Sequence, residues 1–189
     1  QETVLKTDSS ETIRGNFFIL LKSTYDFSDY LFVKPSQKKK IKSDFLEWFI
    51  GFSEGDGSFT YKDGRPVFVI NQADLGLLRR LRTQLGFGRV ETFTQNNRLY
   101  ARFKAENQKN VERIISIFNG NIQLRKVYIR FSKWINTYNK VYKKQVILKQ
   151  RRKVSEIHLN SAWLSGFFDA EGGFSTSLSK NANLKLGYR

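Results

Sequence analysis

The stretch LEWFIGFSEGDGSF at residues 46–59 has a second copy, AWLSGFFDAEGGF, at residues 162–174. When the tryptophans of the two copies are aligned, the copies lie 115 positions apart and share several residues. The identical pairs are Trp48/Trp163, Gly51/Gly166, Phe52/Phe167, Gly57/Gly172 and Phe59/Phe174. An internal repeat indicates two copies of one structural unit, so we expect the chain to contain two related halves.

Each copy reads as a short helix with apolar residues on all sides, which is typical of a helix buried between other elements. Small residues recur four positions apart, as Gly51 and Gly55 in the first copy and Gly166 and Ala170 in the second. This spacing allows two helix backbones to approach closely. We therefore predict that the two helices pack side by side.

Glycine ends each copy, at Gly57 and at Gly172, where a helix commonly changes direction through a left-handed cap. If the helices pair, the acids before these glycines, Asp56 and Glu171, arrive at the same end. The negative pole of the helix dipole lies there, which is unfavourable for carboxylates but suits a divalent cation such as Mg²⁺. The alternative is two solvated acids, and the acid kept in both copies favours the cation site.

The two copies, FIGFSEGDG at residues 49–57 and LSGFFDAEG at residues 164–172, resemble the signature motifs of the LAGLIDADG homing endonucleases in their single-chain, two-motif form. The resemblance implies an α+β fold, in which each half has the order α-β-β-α-β-β-α. It also implies that the paired motif helices join the halves, and that each four-stranded antiparallel sheet lies in the DNA major groove.

The resemblance assigns site residues as well. The eighth motif position carries the metal-binding catalytic acid in the family, which implies Asp56 and Glu171, with Mg²⁺ or Mn²⁺ as the cofactor. Gly55 and Ala170, the residues before these acids, are implied to lie at the metal. The sixth-position acids, here Glu54 and Asp169, are more often structural in the family.

The composition predicts a polyanionic partner. The 189 residues contain 33 Lys and Arg against 17 Asp and Glu, which gives a formal net charge of +16, and 15% of them are aromatic. This combination favours nucleic acid over a membrane surface. The sequence has no apolar stretch of about 18 residues, so we predict no membrane span. The lack of cysteine excludes disulfides and thiolate metal sites, and the single histidine, His158, excludes zinc fingers.

The residues after the first motif follow the order expected for one half. The predicted strands are residues 58–62, 65–72, 89–94 and 98–104, which form two hairpins. The predicted helices are residues 74–85, 107–118 and 124–142. Asp63-Gly64 is expected to form the turn of the first hairpin, and residues 95–97 that of the second. Either Ser43 or Asp44 is expected to cap the first motif helix, and Asp74 the helix that ends at about Leu85.

Alternation within the strands predicts which face of the sheet is exposed. Phe59, Tyr61, Leu99, Ala101 and Phe103 are expected to face the helices. The opposite face then carries cations and a tyrosine, which suits a sheet that reads the major groove, although a merely solvated face is the alternative. The expected nucleic-acid contacts in both halves are Ser58, Thr60, Lys62, Arg65, Arg89, Arg98, Tyr100, Arg102, Lys104, Ser175, Ser177 and Ser179.

The resemblance implies two further catalytic residues. Lys126 best matches the basic residue that the family places near the reaction centre, although Arg125 is adjacent. Gln72 falls where the family often has a polar residue that positions water. The alternatives are a helix-surface lysine and a strand-end amide.

We expect four segments along the chain. They are an N-terminal arm at residues 1–43, a first half at residues 44–142, a basic linker at residues 143–160 and a second half at residues 161–189. The second half contains only the motif helix and the beginning of a sheet, so the resemblance covers one complete half and a truncated one.

The leading hypothesis is a site-specific double-strand DNA endonuclease of the intron-homing type, acting on about 20 base pairs of DNA. It would be a monomer with pseudo-two-fold symmetry once the second half is complete. The alternatives are an inactive, maturase-like protein that binds intron or ribosomal RNA, and a degenerate gene product. Richness in Lys, Asn, Ile, Phe and Tyr resembles an AT-rich organellar gene, which for this family implies a mitochondrion, in a fungus.

Overall fold

The computed structural model describes residues 25–38, 40–151, 161–172, 174–178 and 184–188. The helices in these ranges are α1 (Ser28–Val33), α2 (Ser43–Asp56), α3 (Leu75–Leu85), α4 (Gln108–Phe118), α5 (Arg125–Tyr142) and α6 (Ala162–Glu171). The strands are β1 (Gly57–Lys62), β2 (Arg65–Gln72), β3 (Arg89–Gln95), β4 (Arg98–Ala105), β5 (Phe174–Leu178) and β6 (Leu184–Tyr188). Of the helices in these ranges, none has the length and apolar character that a membrane crossing requires.

Strands β1 to β4 form one antiparallel sheet in the order β1-β2-β4-β3, and β5 pairs with β6 in a separate antiparallel ribbon. Helix α2 precedes the first hairpin, α3 lies between the hairpins, and α4 and α5 follow the second. This is the predicted α+β arrangement with a four-stranded antiparallel sheet.

Both hairpins of the larger sheet close through two-residue turns with positive φ. Asp63 and Gly64, at 50° and 74°, join β1 to β2, and Asn96 and Asn97, at 50° and 58°, join β3 to β4. These residue types tolerate the left-handed region, and such turns match the twist of the strands. The first turn is the predicted one, whereas in the second Gln95 belongs to the strand.

Side-chain caps begin two of the helices but not α2. Asp74 accepts a hydrogen bond from Leu77 N at 2.9 Å, as predicted, and Asn107 caps α4 in the same way. The prediction that Ser43 or Asp44 caps α2 is wrong, because Lys42 is the cap residue and no side chain bonds there. Asp44 instead lies in the first turn, where its charge is favourable to the helix dipole.

The core lies between one face of the sheet and the helices, and aromatic rings fill much of it. The ring of Phe59 lies 5.0 to 5.3 Å from four others, those of Phe68, Phe118, Phe131 and Trp134. Ala101 and Phe103 face this core as predicted.

Two of the residues predicted to face the helices do not. Tyr61 is 46% exposed and Leu99 is 63% exposed. Each lies two positions from a hairpin turn, at Asp63 and at Asn97, close to the end of its strand. Alternation alone therefore assigned the correct faces only in the middle of the strands.

The described part of the N-terminal arm packs against the end of α4. Tyr30 is fully buried, and Arg113 Nε donates to the carbonyl of Val33 at 2.9 Å. Asn121 bonds both backbone groups of Asp26, accepting at 3.0 Å and donating at 2.7 Å. Residues 25–38 are thus tied to the first half through hydrogen bonds between its side chains and backbone groups of the arm.

The chain after α5 is held by two asparagines. Asn139 both donates to and accepts from the backbone of Val146 at 2.9 Å. Asn119 accepts from Lys149 N at 2.8 Å. The predicted linker therefore returns along the first half as far as residue 151, and residues 152–160 lie outside the described residues.

Candidate active site

Helices α2 and α6 cross with their backbones in contact. A β-carbon added to Gly51 would overlap the carbonyl oxygen of Trp163, and one added to Gly166 would overlap that of Trp48. Each glycine thus meets the tryptophan of the other copy, which relates the two helices by an approximate two-fold axis. The predicted side-by-side packing is confirmed, and glycine is required because the approach is backbone to backbone.

The two motif acids lie at the same end of this helix pair. A β-carbon on Gly55 would lie 2.6 Å from the β-carbon of Ala170 and 2.9 Å from Cγ of Glu171. Burial and the nearby charge of Glu171 raise the pKa of Asp56 above its ordinary value, and a hydrogen bond from Gln72 opposes the shift. Gln72 Nε2 donates this bond to Asp56 Oδ2. The structure therefore brings these five predicted residues together.

The glycine after each acid has an extended backbone. Gly57 has φ −80° and ψ 150°, and Gly172 has φ −78° and ψ 148°, so the predicted left-handed caps are wrong. At Gly57 the reason is that β1 begins at this residue. Glycine is still required, because a β-carbon at either position would lie 2.5 Å from the carbonyl oxygen of Ser53 or Phe168.

The sixth-position acid of the first copy, Glu54, caps another helix. Its side chain is 1% exposed, and its carboxylate accepts hydrogen bonds from the backbone N–H groups of Gln123 at 2.6 Å and Leu124 at 3.1 Å. These two residues immediately precede α5, and its own cap residue, Leu124, supplies no side-chain acceptor. Burial raises the pKa of Glu54 to about 7, although the hydrogen bonds and the charge of Arg151 oppose the shift. Arg151 also donates to the carbonyl of Gln123.

The sixth-position acid of the second copy, Asp169, is exposed and accepts a 2.7 Å hydrogen bond from Trp48 Nε1. Trp163, the counterpart of Trp48, is buried at 5% exposure. Its indole N–H has no hydrogen-bond partner of good geometry, although its approach lowers the pKa of Glu54. The structural role that the resemblance implied for these acids is consistent with both arrangements.

A cleft of about 500 Å³ adjoins the acid end of the helix pair. Its lining is mostly amide, aromatic and acidic: Asp56, Asn71, Gln72, Ala73, Phe93, Gln95, Asn96, Tyr100, Asp169 and Ala170. Lys126 is exposed in the first turn of α5 and forms no ion pair within the described ranges. The cleft therefore connects the acids to the outer face of the sheet, and the catalytic role of Lys126 stays a prediction.

The outer face of the sheet carries the predicted polar residues, but two of its cations are neutralised. Arg89 lies 2.8 Å from Glu106, and Lys104 lies 2.9 Å from Glu91. The hydrogen bond from Lys104 lowers the pKa of Glu91, and the Lys104 side chain is only 12% exposed. The prediction that Lys104 is an exposed cation is therefore wrong, because β3 supplies acids beside it.

Three of the other predicted contacts are exposed cations outside any ion pair described, and the serines and the threonine are uncharged. Lys62, Arg65 and Arg98 are exposed and form no ion pair with any residue that the structure describes. Ser58 and Thr60 are half-buried on β1. Ser175 and Ser177 fall on β5, and Ser179 lies outside the described residues.

The sequence interpretation missed Asn71 and Phe93, which line the cleft and contact Arg102. Arg102 Nε donates to Asn71 Oδ1 at 2.7 Å, and its guanidinium carbon lies 4.5 Å from the centre of the Phe93 ring. Phe93 stacks on Tyr100 with ring centres 5.8 Å apart. A signal was present, because β3 alternates Arg89, Glu91, Phe93 and Gln95, which places an aromatic ring on a polar face.

Comparisons with known proteins agree with this geometry. A family model described as LAGLIDADG endonuclease matches residues 49–138. The chain is 40% identical over 145 residues to the probable intron-encoded endonuclease 4 of Neurospora crassa, a match that covers 74% of this chain and 26% of that protein. It is 25% identical over 177 residues to the intron-encoded RNA maturase bI4 of Saccharomyces cerevisiae, a match that covers 89% of this chain and 26% of that protein.

Among solved structures, the LAGLIDADG homing endonuclease I-GzeII in complex with its DNA target has a TM-score of 0.56 at 21% identity. That match covers 79% of this chain and 65% of the other, and it shows a shared fold. The chain spans about a quarter of the length of each of the two curated relatives. The matched family model, the 40% identity and the paired motif helices show that the chain contains a LAGLIDADG endonuclease domain over residues 49–138.

Proposed function

We propose that this chain acts in a site-specific double-strand DNA endonuclease that hydrolyses phosphodiester bonds. One observation carries the proposal: Asp56 and Glu171, from two copies of one motif, meet at one end of a helix pair. They adjoin a cleft that opens beside a sheet with exposed cations. A phosphodiester held on that sheet would place its negative charge near both acids.

The donor set fits a divalent cation. Asp56 and Glu171 would hold Mg²⁺ or Mn²⁺ through carboxylate oxygens, and the cation would offset the burial and the repulsion from Glu171 that raise the pKa of Asp56. No group of three or more acidic, His or Cys side chains suited to a metal occurs among the residues described. Mg²⁺ is commonly bound by one or two carboxylates with waters and substrate phosphate. When bound, such a cation supplies Lewis-acid polarisation and an activated water.

The chain's own residues prepare this site. The amide of Gln72 fixes the orientation of the Asp56 carboxylate. The small residues Gly55 and Ala170 let the two helix ends approach closely. Lys126, at the start of α5, would neutralise charge on the reacting phosphate.

We infer a target of about 20 base pairs, held by two sheets in a monomer with pseudo-two-fold symmetry. The I-GzeII complex with DNA supports duplex DNA as the ligand. The Neurospora and Saccharomyces relatives support a fungal intron-encoded origin, and we propose a mitochondrial location. Fractionation of the source cells tests that location.

Selection and cleavage together test the endonuclease. Duplexes bound by the full chain would be selected from a randomised pool and then incubated with Mg²⁺. We expect Asp56→Asn to reduce cleavage of the selected duplex by at least about 100-fold while binding is retained. Asp44→Asn, at the opposite end of α2, is the matched control and should cut normally. Cleavage that survives Asp56→Asn would contradict the proposal.

A second candidate function, RNA binding, is favoured by the charge distribution around α5. Residues 113–155 contain 12 Lys and Arg and no Asp or Glu. Lys126, Arg130, Lys133 and Lys140 are exposed along one side of α5, opposite the residues that pack on the sheet. This stripe is separate from the face that carries Arg98 and Arg102. A long basic stripe suits the phosphates of a folded RNA.

A pair of matched variants tests this candidate. We expect Arg130→Gln with Lys133→Gln to weaken binding of a 16-base-pair RNA duplex at least about fivefold, with a lower salt slope, and to leave DNA binding nearly unchanged. Arg79→Gln with Lys109→Gln removes the same charge from other exposed helix positions and serves as the control. Equal effects of both pairs would show that only total charge matters.

A further inference from the structure

We propose that Arg102 is a preorganised guanine reader on the outer face of the sheet, positioned for a base pair close to the bond that is cut. This inference rests on the proposed DNA-binding function and names one element of its specificity. It concerns the contacts of a single side chain, which differ from those of the neighbouring cations.

Cross-strand pairing sets the position of Arg102. Ala101 and Phe103, its neighbours on β4, are buried against the helices, so Arg102 lies on the opposite face. In the sheet register it is opposite Asn71 on β2 and Glu91 on β3. It therefore occupies the middle of the sheet face, between two hydrogen-bonded neighbouring strands.

Three side chains restrain the guanidinium from two directions. Asn71 Oδ1 accepts from Arg102 Nε at 2.7 Å, while the Phe93 ring lies 4.5 Å beneath the guanidinium carbon. Tyr100 in turn stacks on Phe93, with the two ring centres 5.8 Å apart. A cation over an aromatic face and a short amide contact both favour one orientation of a long side chain. Less side-chain entropy is then lost when a ligand binds.

The terminal guanidinium nitrogens of Arg102 suit guanine. With Nε occupied by Asn71, the two terminal nitrogens keep their N–H groups, and no hydrogen bond to them occurs within the described residues. Two parallel N–H donors match O6 and N7 of guanine, which is the commonest specific contact in the major groove. Arg89 and Lys104 on the same face are engaged by Glu91 and Glu106, so they are not equivalent readers.

The partners of Arg102 also place it close to the acid pair. Asn71, Phe93 and Tyr100 line the same cleft as Asp56 and Gln72. A base pair contacted by Arg102 would thus border the cleft in which a phosphate meets the acid pair. The selected base should lie near the cut and not at the end of the target.

The experiment measures base preference by position for the full chain. Duplexes selected from a randomised pool without Mg²⁺ give the preference at each position, and the cut is mapped afterwards with Mg²⁺. We expect one position near the cut to prefer G·C at least about tenfold. Arg102→Lys keeps the charge but lacks the planar fork, and should reduce that preference to under about threefold with little change in overall affinity.

Further variants test the side chains that restrain Arg102 independently of Arg102 itself. Asn71→Ala and Phe93→Leu should each weaken the preference partially, because they loosen the guanidinium without removing it. Arg98→Ala, four positions away on the same strand face, should weaken all duplexes similarly and keep the preference. Unfolding midpoints check that each variant is folded.

The outcomes separate this inference from the proposed function. If no position loses its guanine preference in Arg102→Lys, or if that variant weakens all duplexes equally, the inference is overturned while cleavage stands. If the preference behaves as expected but Mg²⁺ produces no cleavage in the parent protein, the endonuclease proposal fails. The guanine preference of Arg102 then stands, while its placement beside a cut is overturned. If no duplex is bound, both are overturned.

Discussion

The two motif helices have the same sequence pattern but different surroundings. In α2 the sixth-position acid, Glu54, is buried and caps α5, whereas its counterpart in α6, Asp169, is exposed and bonds one tryptophan. The eighth-position acid of α2 is held by Gln72, while Glu171 is exposed and has no such amide among the residues described. The comparison teaches that the motif sets where the acids lie, and the elements packed around it set their chemistry.

The largest effect is expected where the two helices are equivalent. Gly51→Ala and Gly166→Ala should each separate α6 from α2, at a cost of about 3 kcal/mol or more, because a β-carbon would overlap a backbone carbonyl. Hydrogen exchange of the amides in α6 measures this opening. Gly76→Ala is the control, because its β-carbon would lie 3.0 Å from Asp74 Oδ1 and 3.4 Å from an Arg80 nitrogen, so it should cost less than about 1 kcal/mol. Unequal effects of the two glycine variants would contradict the approximate two-fold relation.

The acid pair gives the next largest effect. Asp56→Asn and Glu171→Gln should each reduce cleavage at least about 100-fold, and the double variant should be little worse than either single one, because both acids serve one site. Rates on the selected duplex with Mg²⁺ check this. Additive losses in the double variant would instead indicate two independent sites.

Variants of the two sixth-position acids should differ most clearly in their effect on stability. Glu54→Ala should reduce the free energy of unfolding by about 2–4 kcal/mol, because the buried N–H of Gln123 and the partly buried N–H of Leu124, just before α5, lose their acceptor. Asp169→Ala should cost less than about 1 kcal/mol, since it removes one exposed hydrogen bond. Urea unfolding of both variants gives the comparison, and equal losses would refute it.

The smallest effect concerns the ion pairs on the sheet. The pKa of Glu91 is lowered, so this carboxylate stabilises the fold above the ordinary pKa of glutamate, and the contribution is lost as pH falls through its lowered value. Its side chain is 37% exposed, so solvent screening limits the contribution to about 0.5 kcal/mol or less. Glu91→Gln should therefore be slightly less stable than the parent at pH 7, and this difference should shrink as the pH falls below the ordinary pKa of glutamate. The same variant should raise the affinity for DNA of random sequence, because Lys104 is released.

Much of the fold follows from local patterns. The turn residues Asp63 and Gly64, the cap at Asp74 and the small residues Gly51 and Gly166 each act within a few positions or through the repeat, so their roles could be predicted. The mid-strand alternation of Ala101 and Phe103 was equally clear.

The rest depends on contacts between residues far apart in the sequence. Neutralisation of Lys104 requires knowing that β3 places Glu91 beside it, and the strand register is not visible in the residues. The same holds for Asn71 beside Arg102, which lie 31 positions apart. Burial of Glu54 could not be read from its motif, because the N–H groups that it binds lie 69 and 70 positions away.

The long separation between the two acids also sets an order in time. Asp56 lies in a half whose sheet and covering helices end at Tyr142, and the carboxylate of Glu171 joins it from 115 positions later. Domains that fold during synthesis do so from the N-terminus. A nascent chain would therefore hold the folded four-stranded sheet before it has both acids, so the acid pair would assemble only on a first half that is already formed.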